Sequence, residues 1–178
     1  MAALNLSFID EIIRARKRLH GGTRGAPIKL SDGSREGEAL NKACVIALSS
    51  ALQTYVEDVF QDCSNQRFGG PMAGDRLKNY RNTWKMWGNP NPDNIVALFR
   101  RIGIDDVLSG LSWPNKANST LRKNLNTINQ LRNKIAHGQE IMVDGKPYSL
   151  QLNNITRWRD MSDQFGRRFA NHAQGLLA

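Results

Sequence analysis

Two cysteines and three histidines in 178 residues leave little room for disulfide or transition-metal chemistry. Cys44 and Cys63 fall on one predicted helix, roughly 28 Å apart at about 1.5 Å per residue, so they cannot bridge within the chain. Both are expected to be reduced and partly buried. His20, His137 and His172 are dispersed, and no cluster has zinc-ligand spacing, so neither a metal nor another cofactor is expected. No segment is apolar enough to insert in a membrane. The opening Met1-Ala2-Ala3-Leu4-Asn5-Leu6 lacks a charged leader ahead of a long apolar run, and Asp10 and Glu11 follow early, which predicts a cytoplasmic protein. There are 15 glycines, yet none sits between a strand and a helix with the spacing of a nucleotide-binding fingerprint. A nucleophile elbow, a Ser-His-Asp arrangement, repeats, heptads and low-complexity tracts are also missing.

Acidic residues are in short supply too. Sixteen Asp and Glu face 25 Lys and Arg, giving a net charge of +9. The basic residues recur in knots: Arg14-Arg16-Lys17-Arg18, Arg100-Arg101, Arg122-Lys123, Arg157-Arg159 and Arg167-Arg168. An excess of this kind favours polyanions, with nucleic acid ahead of an anionic membrane surface. The plainer alternative is a solvated basic surface.

What is present reads as helix. The length suits one domain, 1–178, with an N-terminal helix and loop over 1–35 and a core over 36–175. Phe8, Ile9, Ile12, Ile13 and Leu19 predict a first helix from Ser7 to His20, with Ser7 and Asp10 placed like a capping box. Residues 21–34 read as a loop. A long helix from about Arg35 to Cys63 carries an apolar stripe wide enough for the central helix of a bundle. Within it, Glu57 and Asp58 either orient a functional cation or lie on a solvated face. Residues 64–92 are less regular; Trp84 and Trp87 among basic residues either stack on RNA bases or complete a core. Asn91-Pro92 caps a short helix that buries Ile95, Val96, Leu98, Phe99 and Ile102 and stops at Gly103. One or two helical turns are expected over Asp105–Leu111. A helix from about Lys116 to Ala136 buries Leu121, Leu125, Ile128, Leu131 and Ile135. Asp144-Gly145 predicts a small hairpin within 140–151, and a last helix from about Asn154 to Leu176 buries Ile155, Trp158, Met161, Phe165, Phe169 and Ala173.

The most site-like stretch is Leu131-Arg132-Asn133-Lys134-Ile135-Ala136-His137-Gly138. On a straight helix Arg132 and His137 point roughly 140° apart, so they serve one site only if the backbone turns, and Gly138 permits that turn. Asn133 shares a face with His137 and is placed to hold an imidazole nitrogen, while the forked, always-charged Arg132 is free to grip phosphate. Spacing alone is weak, since Arg167 and Arg14 precede His172 and His20 by similar intervals. The flanking Asn, the apolar Ile135 and Ala136, the Gly and the helix end set this case apart.

With these residues in place, the chain resembles the HEPN superfamily, and within it the bacterial RiboL-PSP-HEPN type. The likeness lies in the segment Trp87 to Pro92, the helix end Phe99-Arg100-Arg101-Ile102-Gly103-Ile104, and the Arg-Asn...His-Gly ending, and it covers roughly residues 36–175. The resemblance implies an all-α bundle of four to six helices that forms a homodimer, with two Arg...His motifs facing each other as a metal-independent endoribonuclease site. Toxin–antitoxin and antiviral-defence systems use such domains. By the same resemblance Arg132 and His137 take the catalytic positions, with Asn133 beside them and Glu57 as a candidate acidic support. RNA is the expected partner, and Arg100, Arg101, Arg122, Lys123 and Lys134 are the expected phosphate contacts. A neutralising antitoxin or another regulatory partner fits the same systems. Some members of the superfamily have lost catalysis, which keeps open a non-catalytic RNA- or nucleotide-binding module, or a protein-interaction domain whose motif serves a dimer interface.

Overall fold

The computed structural model describes residues 2–19, 27–31 and 33–177. Among these the chain is all-α. Six helices run in the order α1 (Ser7–Leu19), α2 (Glu38–Arg67), α3 (Gly74–Asn79), α4 (Pro92–Arg100), α5 (Asn118–Ala136) and α6 (Leu152–Gly175). A π-helical turn over Tyr80–Trp84 follows α3, and a two-stranded ribbon, β1 (Met142–Val143) and β2 (Lys146–Pro147), lies between α5 and α6.

α2 is the axis. Leu48, Tyr55, Val56, Val59, Phe60 and Cys63 are all buried and point in several directions around the helix, so α1, α4, α5 and α6 each find an apolar surface to pack on. The core of this packing is aromatic. Phe99 of α4 meets Phe60 and Phe169 edge-on, with centroids 5.6 and 5.5 Å apart, and Phe165 stacks on Phe169 at 4.6 Å. Tyr55 Oη donates to the Gly166 carbonyl at 2.7 Å, so this phenol satisfies its polar end inside the bundle.

Local chemistry sets the helix ends. At α4, Asn91 Oδ1 accepts from the Asn94 N–H at 2.8 Å and Pro92 occupies the first turn, as the Asn-Pro signal predicts. In the ribbon, Asp144 and Gly145 have φ of 50° and 74°, the paired positive values that a tight hairpin turn needs.

Several expectations are corrected. Ser7 and Asp10 form no capping box: the Ser7 N–H donates to Asn5 Oδ1 instead, and the Asp10 carboxylate takes a two-pronged pair from Arg159 of α6 at 2.7 and 2.8 Å. The predicted helical end at His20, like residues 21–26 and Asp32 of the predicted loop, lies outside the described residues. α2 begins three residues later and ends four residues later than predicted. Asp105–Leu111 forms turns rather than helix, because Asp106 Oδ1 accepts from the Leu108 N–H at 3.1 Å and so offers the backbone a local alternative. Trp84 and Trp87, by contrast, follow the core reading of the sequence: Trp87 is buried and Trp84 packs edge-on against Phe60 at 5.8 Å. Arg16, read as part of a basic surface knot, is only 5% exposed.

Candidate functional site

The α5 stripe Leu121, Leu125, Ile128 and Leu131 is fully buried against the bundle, which fixes the helix and delivers its last turn to the surface. Termination follows from Gly138. At φ +61° it adopts the left-handed conformation, the Gly138 N–H donates to the Ile135 carbonyl at 3.2 Å, and the Gln139 N–H reaches back to Lys134 at 2.9 Å. This is a Schellman ending, and it satisfies carbonyls that a frayed end would leave bare. His137 is the last residue before the turn, its N–H still bonded to the Asn133 carbonyl at 3.1 Å. Its imidazole is exposed and takes no hydrogen bond from a described residue.

Asn133 does something other than hold His137. Its Oδ1 accepts from Arg132 Nη1 at 3.2 Å and from Asn89 Nδ2 at 2.8 Å. The amide therefore steers the guanidinium and ties it to the segment before α4. Asn89 is itself pinned: its carbonyl accepts from Asn94 Nδ2 and from the Asn91 N–H, each at 2.8 Å. Buried Trp87, Pro90 and Pro92 anchor the backbone on either side. Gly88, at φ +95°, brings the chain so close to Asn94 that a Cβ there would meet Asn94 Nδ2 at 2.8 Å. Arg132 is half-buried, and among the described residues no carboxylate pairs with it. A held cation without a described counter-ion, half-buried near the end of a helix whose cap residue is an exposed histidine, is an arrangement fitted to an anion. The turn at Gly138 falls after His137 and does not itself bring the two side chains together.

The remaining predicted residues lie apart from this network. Glu57, on α2, accepts a short hydrogen bond from Tyr80 Oη, which also accepts from Gln61 Nε2 at 3.0 Å. Burial and the Glu57 carboxylate together push the Tyr80 hydroxyl well above its ordinary pKa. Neighbouring Asp58 is raised by partial burial and by Glu57 and Asp62. Arg122 is held by Asp106, with contacts of 2.6 and 2.7 Å, and by Asn118, so its charge is already matched. Arg100 is exposed and donates to the Asp105 carbonyl at 2.8 Å. Arg101 and Lys123 are exposed, while Lys134 is half-buried.

Asn89 is the residue that the sequence reading did not single out. The available signal was the doublet Asn89-Pro90-Asn91-Pro92, where two prolines restrict the backbone and two amides offer directed bonds.

The all-α bundle is consistent with an HEPN-type protein. The chain matches the RiboL-PSP-HEPN family over residues 9–174 and belongs to it. The match takes in α1 as well as the rest of the bundle, beyond the 36–175 stretch that carried the resemblance. Neither the curated proteins nor the solved structures contain a match to this chain. Among the described residues no helix is long and apolar enough to cross a membrane.

Proposed function

We propose that this protein is a metal-independent endoribonuclease in which Arg132 and His137 act on the RNA phosphate. The observation that carries the reading is the unpaired Arg132 guanidinium, aimed through Asn133 and Asn89, on the helix end that presents an exposed His137. The His137 imidazole takes the proton from a ribose 2′-hydroxyl as general base. The freed oxygen attacks its own phosphorus, and the guanidinium stabilises the crowded, doubly charged phosphorane. As the P–O5′ bond breaks, a second acid protonates the leaving oxygen. One protomer offers one such histidine; a two-fold homodimer supplies the other from the facing motif. Lys134, Arg100, Arg101 and Lys123 extend the cationic surface along which the RNA backbone lies, and Arg122 adds to it only where RNA displaces Asp106. A cytoplasmic toxin or antiviral-defence effector held in check by an antitoxin fits this chemistry.

This scheme predicts RNA cleavage in EDTA, products with 2′,3′-cyclic phosphate and 5′-hydroxyl ends, and no cleavage of a matched DNA, which lacks the nucleophile. A second reading, a non-catalytic RNA-binding module of the same fold, draws on the His137 imidazole, which has no partner among the described residues to fix its tautomer. It predicts that wild type and His137→Ala bind RNA equally and that neither cuts it.

A further inference from the structure

A second site lies where the start of α2, the ribbon and the start of α6 meet the side of α1. A cleft of about 920 Å³ opens there, with Arg16, Glu36, Asn41, Glu140, Tyr148 and Leu152 on its walls. Its volume is in the range of small-ligand sites. Two of its polar side chains are more than nine-tenths buried and incompletely bonded. Arg16 is 5% exposed, its Nε has no hydrogen-bond partner, and no described residue forms an ion pair with it. Asn41 is 4% exposed; its Nδ2 donates to the Leu150 carbonyl at 3.0 Å, but its Oδ1 has no donor. Arg16 packs against Gly37, where a Cβ would fall 2.4 Å from Nε. The Asn41 N–H bonds to the Gly37 carbonyl one turn away, so Asn41 and the Gly37 backbone that Arg16 packs on share one side of α2.

Burying a guanidinium without an anion is costly, and an orphaned amide oxygen adds to the deficit. The cleft therefore asks for an anion and a donor close together. The start of the 24-residue α6 faces the same space; Gln151 takes the Asn154 N–H in a capping box, and the Leu152 and Asn153 N–H groups are left without an acceptor in the helix. Glu36 and Glu140 stand on the wall as hydroxyl acceptors, a role incompatible with a purely anionic ligand but natural for one rich in hydroxyls. We propose that this cleft binds a sugar monophosphate, with its phosphate on Arg16 and the α6 N-terminus and its hydroxyls on Asn41 Oδ1, Glu36 and Glu140. The site is independent of the RNA-cleavage reading.

Thermal unfolding of the full chain with ribose 5-phosphate, ribose or inorganic phosphate tests this. At tenfold excess over Kd, ribose 5-phosphate raises Tm by about 3–5 °C, inorganic phosphate raises it less and ribose leaves it unchanged. Arg16→Met removes the buried charge, so it melts at or above the wild-type temperature without ligand and loses the ligand-induced rise. Glu140→Gln, at an exposed position, leaves the unliganded Tm unchanged and weakens ribose 5-phosphate binding several-fold. The proposal is overturned if millimolar ribose 5-phosphate produces no shift, or if Arg16→Met responds as the wild type does. It also fails if a 5′-phosphorylated oligoribonucleotide binds at this cleft and ribose 5-phosphate does not, which would make the site an RNA-end contact.

Discussion

Asn89 Nδ2 donates to Asn133 Oδ1 at 2.8 Å across 44 residues of sequence, and that bond makes Asn133 a bracket for Arg132. Asn89 is thus a positioning residue for the cation of the proposed site. Asn89→Ala removes the donor, and Asn89→Asp sets a carboxylate against an amide oxygen. Loss of a directed bond of about 1–3 kcal/mol corresponds to a fall in kcat of about 10–100-fold. KM is expected to change less, because the phosphate is still met by a cation. A Tm lowered by several degrees with kcat unchanged would make the bond purely structural.

Gly138 tests the helix ending. Its left-handed φ of +61° strains any residue with a Cβ, although no atom lies within 4 Å of where one would sit. Gly138→Ala is expected to destabilise the fold by only about 1 kcal/mol in urea unfolding. Its effect on RNA cleavage is larger than that loss, since the strain falls on the residue next to His137.

The Asp10–Arg159 pair gives stability a defined pH dependence. The Arg159 guanidinium holds the Asp10 carboxyl below its ordinary pKa, so the native state favours the ionised form. That contribution is complete above the unfolded value of about 3.9 and is lost as pH falls through the lower native value. Asp10→Asn therefore costs about 1 kcal/mol at pH 7, and the gap from wild type closes as pH falls through the lowered native value in denaturant titrations.

Burial raises the Cys44 thiol to about 11 and the Cys63 thiol, with help from Asp62, to about 12. Both are free and buried. Native protein at pH 8 is expected to react with a thiol reagent no faster than it opens, and two thiols become reactive in denaturant. Rapid labelling of the folded chain would contradict the packing of α2.

Much of this architecture can be read in the residues, and the failures have physical causes. Apolar periodicity located α1, α2, α4, α5 and α6, and the Asn91-Pro92 and Asp144-Gly145 signals marked an end and a turn, because these depend on local chemistry. The basic neighbours of Arg16 suggest a surface position, yet Ile9, Ile12, Ile13 and Arg16 continue one buried helical stripe, and position on that stripe outweighs composition. Local sequence places Asp10 in a cap because its partner, Arg159, lies 149 residues away. Asn133 was matched to His137 by helical geometry alone; the competing donor, Asn89, comes from another segment. Local rules describe ends and faces, whereas directed bonds between distant segments emerge only in the fold.

The most direct test of the nuclease reading is the single-turnover rate of RNA cleavage in EDTA for wild type, Arg132→Ala and His137→Ala, each confirmed as folded by its unfolding transition. Both side chains are exposed or half-buried, so the variants are expected to fold. The predicted result is a loss of about 10²–10⁴-fold in each variant at near-native stability. Folded variants that cleave RNA at the wild-type rate would contradict the assignment of Arg132 and His137.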